Sequence, residues 1–229
     1  MRKINSKILW AFTLLLISLL FLLQQCTSNL PDKKKTRIVC TTGILADAIY
    51  QLVKDSAEVI ALMGPGVDPH LFKASYQDLE YLSSADIIVY NGLHLEGKMT
   101  DVLKRLAGNK KVIAAGQGLS LSEVHTMGDA SATDPHIWFD VLLWKKGIEL
   151  VGIEIIRASP QNKDYYTLNL KKYLDELSGL DQYVKSRINE ISPGQRVLIT
   201  ALMLSAILEK LTKWKLEVCR VYLLLLILV

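Results

Sequence analysis

From Thr36 onward, short apolar runs alternate with segments whose apolar residues recur every three or four positions. The runs Arg37–Thr41, Glu58–Met63, Ala85–Tyr90 and Lys111–Ala115 are short and rich in β-branched residues, which predicts strands. Between the first two, Ile44, Leu45, Ala48, Ile49 and Leu52 fall at helical spacing. Ser75 with Asp78 three residues later is a capping signal for a helix through Leu82, and Lys98–Leu106 reads as another helix. Nearly continuous apolar strands alternating with helices predict an α/β fold, a parallel sheet with helices on both faces. In such sheets ligands sit beyond the carboxyl ends of the strands.

The pattern changes after Ala115. Gly116–Thr133 is rich in glycine and serine, contains His125 and Asp129, and reads as a mobile loop. A helix is expected over Val141–Arg157, interrupted by Pro160. Gln161–Ile191 is free of proline and carries apolar residues at helical intervals, so one long helix of more than about 40 Å is expected there. A helix that long can bridge two lobes rather than pack within one. Pro193-Gly194 ends it, and Arg196–Thr200 reads as the opening strand of a second sheet that the chain does not complete.

The N-terminus adds a different signature. Arg2, Lys3 and Lys7 precede an uncharged apolar run, Ile8–Leu23, and then Leu23-Gln24-Gln25-Cys26. A short basic region, an apolar core and a cysteine boundary describe a secretion signal over residues 1–25. The run is shorter than the ~20 residues of a spanning helix. Leu23 before Cys26 resembles a lipoprotein processing site, although Gln24 and Gln25 replace its usual small residues. Lipidation is expected at Cys26, with 26–35 as a polar tether; an uncleaved anchor helix is the alternative, and both place the chain outside the cytoplasm and on a membrane. Removing the signal takes three positive charges from a net charge of +4, which leaves no nucleic-acid footprint. Cys40 sits in an apolar run and is expected to be buried; no disulfide framework is visible.

Candidate chemistry centres on a repeated tripeptide. Gly64-Pro65-Gly66-Val67-Asp68-Pro69-His70 follows the second predicted strand, and Asp134-Pro135-His136 repeats its end. The chain has 4 His and 6 Pro, so two copies of Asp-Pro-His point to design rather than accident. Proline fixes its own φ and pushes the preceding aspartate to extended geometry, so each histidine leaves a stiff loop. Neutral imidazole is the commonest side-chain ligand for zinc and similar metals. His70 and His136 are therefore expected to face one cleft and give it one metal ligand each. The competing reading makes each Asp-Pro a turn and helix-start signal. Asp68 and Asp134 either complete the site or orient the loops and rings from behind. His94 and Glu96, in Gly92-Leu93-His94-Leu95-Glu96, read as loop and structural residues, and His125 as a solvated one.

The segments 64–70, 90–96 (Tyr-Asn-Gly-Leu-His-Leu-Glu), 134–140 (Asp-Pro-His-Ile-Trp-Phe-Asp) and 196–201 (Arg-Val-Leu-Ile-Thr-Ala) together resemble the TroA-like metal-binding receptors of bacterial ABC importers. The resemblance implies a two-lobed α/β lipoprotein whose rigid helix joins the lobes. It also implies zinc or manganese bound between the lobes as transported ligand, and docking on a membrane permease. By motif position, His70 and His136 match two metal ligands of the first lobe. The corresponding layout is an N-terminal metal-binding lobe over 36–140, helices over 141–192, and a first strand of a second lobe over 193–201. Residues 202–229 depart from the family, which continues after the equivalent of Ala201 with a histidine-containing ligand segment. Synonymous codons for Leu202–Leu224 can be chosen so that the frame starting at each third base reads H-A-F-S-Y-F-G-K-A-Y-K-M-E-V-R-G-L-Q-G-I-S-T. A frameshift and a truncated second lobe are therefore expected; a genuine variant tail is the alternative.

Three function classes follow. The first is an extracytoplasmic metal receptor, impaired if its second lobe is missing. The second is a surface adhesin or structural lipoprotein with incidental histidines. The third is a metallohydrolase, against which stand the lack of His-Glu-x-x-His and of a base paired with a nucleophile. The expected protein is not an enzyme.

Overall fold

A computed structural model describes residues 35–120, 122–124, 126–127, 132–200 and 215–218, with positions 10, 14, 15 and 18 before them. The chain divides into two units, Met1–Lys35 and Thr36–Val229. In the first, positions 10, 14, 15 and 18 are helical. The expectations for the processing site, Cys26, the tether, His125, Asp129 and most of the tail fall outside the described residues. Among the described residues no helix is long and apolar enough to cross a membrane.

The second unit is built on four parallel strands: β1 (Thr36–Thr42), β2 (Ala57–Met63), β3 (Ile87–Tyr90) and β4 (Lys111–Ala114), in the order β2-β1-β3-β4. Period-two alternation along β1 and β3 sends successive residues to opposite faces. Ile38, Cys40, Ile87 and Val89 join one apolar cluster, and Val39 and Ile88 join the other. The first cluster is covered by α1 (Gly43–Val53), through Leu45, Ala48, Ile49 and Leu52, and by α4 (Val141–Ala158), through Trp144, Ile148, Val151 and Ile155. The second is covered by Leu82 of α2 (Tyr76–Ser84) and Leu103 of α3 (Thr100–Ala107). The predicted parallel sheet with helices on both faces is thus observed. Each of these large apolar side chains contributes about 1.5–3 kcal/mol on leaving water. Burial pushes the Cys40 thiol far above its ordinary range.

Local signals act as expected. Ser75 and Asp78 form a reciprocal capping box, each side chain taking the other's backbone N–H. Asp140 caps α4 by accepting from the amides of Leu142 and Leu143.

The long helix α5 (Lys163–Asn189) has 27 residues and a length of about 40 Å. The helix packs along the lobe for much of its length. Tyr166, Leu170 and Leu177 are buried in the first apolar cluster. The Tyr166 hydroxyl accepts from Ser56 Oγ at 2.9 Å and from Asn162 Nδ2 at 3.0 Å, and Asn169 Nδ2 donates to the Leu52 carbonyl at 2.9 Å. Gly152 of α4 permits the close approach, because a Cβ there would lie 2.6 Å from Leu170 Cδ1. Leu168, Leu180 and Tyr183 lie on its exposed side.

Two further expectations change. The loop over 116–133 contains a short antiparallel pair, β5 (Thr126–Met127) with β6 (Ala132–Thr133). The strand after the long helix, β7 (Val197–Thr200), is not left alone. It pairs in parallel with β8 (Lys215–Val218), drawn from the segment read as an aberrant tail.

Candidate metal site

The first Asp-Pro-His turn lies beyond the carboxyl end of β2 and the second directly follows β6, and both use one local device. Asp68 Oδ1 accepts the backbone N–H of His70 at 2.9 Å, and Asp134 Oδ1 accepts that of His136 at 3.0 Å. An aspartate that bonds the amide two residues on makes a compact turn. The proline between the two residues then fixes where the histidine emerges.

The two turns bring their rings together. His70 Nε2 lies 3.3 Å from His136 Nε2, with ring centroids 5.3 Å apart at 62°. Two nitrogens about 2.0–2.1 Å from a tetrahedral zinc stand about 3.3–3.4 Å apart, so the spacing fits one shared ion. The two rings differ in support. Asp134 is wholly buried, and its Oδ1 also accepts from His136 Nδ1 at 2.7 Å. A carboxylate only accepts, so His136 Nδ1 carries a proton, and in the neutral ring the Nε2 lone pair then faces His70. Asp68 is exposed and holds only backbone. Trp138 and Phe139 flank the His136 ring, with centroids at 5.2 and 6.3 Å.

The other singled-out residues take structural places. His94 is exposed on a left-handed turn, where Gly92, Leu93 and His94 have φ of 80°, 52° and 65°. Buried Glu96 holds that turn. Its Oε1 accepts from Thr41 Oγ1 and the Asn91 amide, both at 2.7 Å, and its Oε2 accepts from the Gly92 amide at 3.1 Å. Burial raises the Glu96 carboxyl above its ordinary range, while these hydrogen bonds oppose the shift. Neither Asp68 nor Asp134 joins the space between the rings, and among the described residues no group of three or more His, Cys, Asp or Glu is gathered that could hold a metal. Sequence reasoning passed over Asn91, which it treated as the end of a strand. Its only signal was a polar residue directly after the run Ile87–Tyr90, where a buried amide must find partners.

A family model, zinc-uptake complex component A periplasmic, matches residues 38–210. The chain belongs to this family. Within the zinc-uptake component family, it is 36% identical over 184 residues to the manganese-binding lipoprotein MntA of Bacillus subtilis (strain 168), covering 79% of this chain and 60% of that protein. It is 38% identical over 167 residues to the zinc-binding protein TroA of Treponema pallidum (strain Nichols), covering 73% of this chain and 54% of that one. The solved structure of the periplasmic zinc-binding TroA of Treponema pallidum superposes with a TM-score of 0.77 at 34% identity, over 80% of this chain and 66% of that one. The chain therefore spans a little over half the length of the curated relatives it matches.

Proposed function

We propose that this chain carries the first lobe of an extracytoplasmic receptor that captures divalent zinc or manganese for an ABC importer. In this reading His70 and His136 each donate an Nε2 lone pair to the ion, Cys26 bears the lipid anchor, and the loaded receptor docks on a membrane permease. The observation that carries it is the 3.3 Å approach of two imidazole nitrogens from turns 66 residues apart, with one lone pair aimed by a buried carboxylate. The names of its relatives, a manganese-binding lipoprotein and a zinc-binding protein, support the same class. The role is binding rather than catalysis, because the site is built to present lone pairs and not to activate a nucleophile.

Two imidazoles supply half of the four ligands that a closed zinc site needs. Binding by the 229-residue chain is therefore weak. Calorimetry with zinc and with manganese tests this: weak binding that disappears in His70→Ala and in His136→Ala is expected. Nanomolar affinity, or affinity unchanged by both substitutions, overturns it. We propose further that a frameshift near Leu202 removes a third ligand; coding DNA that does not give H-A-F-S-Y-F-G in the third-base frame refutes that.

A further inference from the structure

The Tyr90–Glu96 motif remains without a role once His94 is set aside as an exposed turn residue. Its most buried polar side chain is Asn91, at 1% exposure. Asn91 Nδ2 donates to the Pro135 carbonyl at 2.9 Å and to the Gly92 carbonyl at 3.1 Å. Pro135 is the residue between Asp134 and His136, and its carbonyl also accepts the Ile137 amide at 2.8 Å. The Asn91 backbone is clasped from two sides: its amide donates to Glu96 Oε1, and its carbonyl accepts the Gly116 amide at 2.9 Å. The neighbouring residues Leu93 and His94 hold positive φ, a conformation that non-glycine residues adopt at a cost and that clusters at functional sites. The strained turn, the buried carboxylate and the amide together form a rigid bracket from the end of β3 to the second Asp-Pro-His turn.

We infer that Asn91 is a positioning residue for metal capture, acting through the Pro135 carbonyl to hold the His136 ring where its Nε2 faces His70. The inference rests on the reading of His136 as a ligand. Asn91 touches no ion itself; it sets the loop that carries one. The rest of the motif keeps Asn91 in place. Glu96 fixes its amide, and Gly92, at φ 80° with Ala114 Cβ only 3.2 Å from where a side chain would start, allows the turn. Outer groups of this kind, when removed, cost about 10–100-fold in metal affinity.

The test is a double-mutant cycle on the full chain, titrated with copper(II). Copper binds imidazole more tightly than zinc or manganese does, so residual binding to His70 stays measurable. Wild type, Asn91→Ala, His136→Ala and the double variant are compared, with far-UV circular dichroism and thermal unfolding of each metal-free protein. Asn91→Ala is expected to weaken copper binding about tenfold or more in the wild-type background. It should leave the affinity of His136→Ala unchanged, because the residue it positions is gone. A general loosening of the lobe would instead lower affinity by the same factor in both backgrounds, and that result overturns the inference. So does an undiminished affinity in Asn91→Ala. If Asn91→Ala lacks the folded signature, Asn91→Ser is measured in its place by the same criteria; loss of fold in both makes Asn91 a residue of the fold and also overturns the inference. Failure of the underlying reading looks different: His136→Ala alone then binds copper as tightly as wild type.

Discussion

Asp134 Oδ1 lies 2.7 Å from Nδ1 of His136 and 3.0 Å from its backbone nitrogen, so one buried carboxylate oxygen sets both the turn and the tautomer. Asp68 does only the first of these for His70. The two copies of one tripeptide are therefore unequal: a carboxylate orients the His136 ring, and no such bond holds the His70 ring among the described residues.

Replacing Asp134 with Ala should show this inequality. The Nδ1–H donor loses its acceptor, the imidazole is free to place its proton on Nε2, and that lone pair is withdrawn from the site. Metal affinity should fall about 10–100-fold. Asp68→Ala should cost less, since the His70 ring loses no partner. Nitrogen-15 NMR of the histidine rings checks the cause: the Nδ1–H signature of His136 should weaken in Asp134→Ala and persist in Asp68→Ala. Equal losses of affinity in the two variants would contradict the assignment.

The sheet, its helices and the two histidine turns were legible in the sequence because each has a local cause. β-branched runs such as Ile87–Val89 read as strands, Ser75 and Asp78 name their own cap, and each Asp-Pro-His carries its turn within three residues. What was not legible depends on distant partners. Nothing near Leu170 says that it meets Gly152, and nothing near Tyr166 says that Ser56 awaits its hydroxyl. The packing of α5 on the lobe was hidden for that reason, since a helix with apolar residues spaced for burial does not reveal which surface covers them. Asn91 was hidden in the same way, because its value lies in a carbonyl 44 residues further along the chain.

Two glycines test the packing of the long helix. Gly152 faces Leu170, and a methyl group there would sit 2.6 Å from Cδ1 and 3.3 Å from Cγ. Gly152→Ala should therefore destabilise the lobe by about 1–3 kcal/mol through overpacking, after any gain in helix propensity. Gly179, on the exposed side of α5, has nothing within 4 Å of its Cβ position. Gly179→Ala should stabilise by about 0.5–1 kcal/mol, the ordinary gain of alanine over glycine inside a helix. Urea unfolding of the pair should give changes of opposite sign. Stabilisation by both substitutions would mean that α5 does not press on α4 at Gly152.

The buried Glu96 carboxyl gives the lobe a pH dependence of definite sign. Its carboxyl is raised above the ordinary glutamate range, first by desolvation, so the folded state holds this proton more tightly than the unfolded chain does. Stability from this group is fully present below about pH 4.5 and is lost as pH rises through the raised folded value, because in that window the folded state binds more protons. Glu96→Gln has no proton to lose there, and its unfolding free energy should lack this downward component. The amide also places a donor where the carboxylate accepted from both Thr41 and two backbone amides, so at least one of those hydrogen bonds breaks. Measured by urea unfolding from pH 4 to pH 7, the difference in stability between wild type and Glu96→Gln should move in favour of the glutamine variant as pH rises. A difference that stays constant across the range, or that moves in favour of wild type, would mean that Glu96 is not the desolvated acid that its position beneath the Asn91 turn requires.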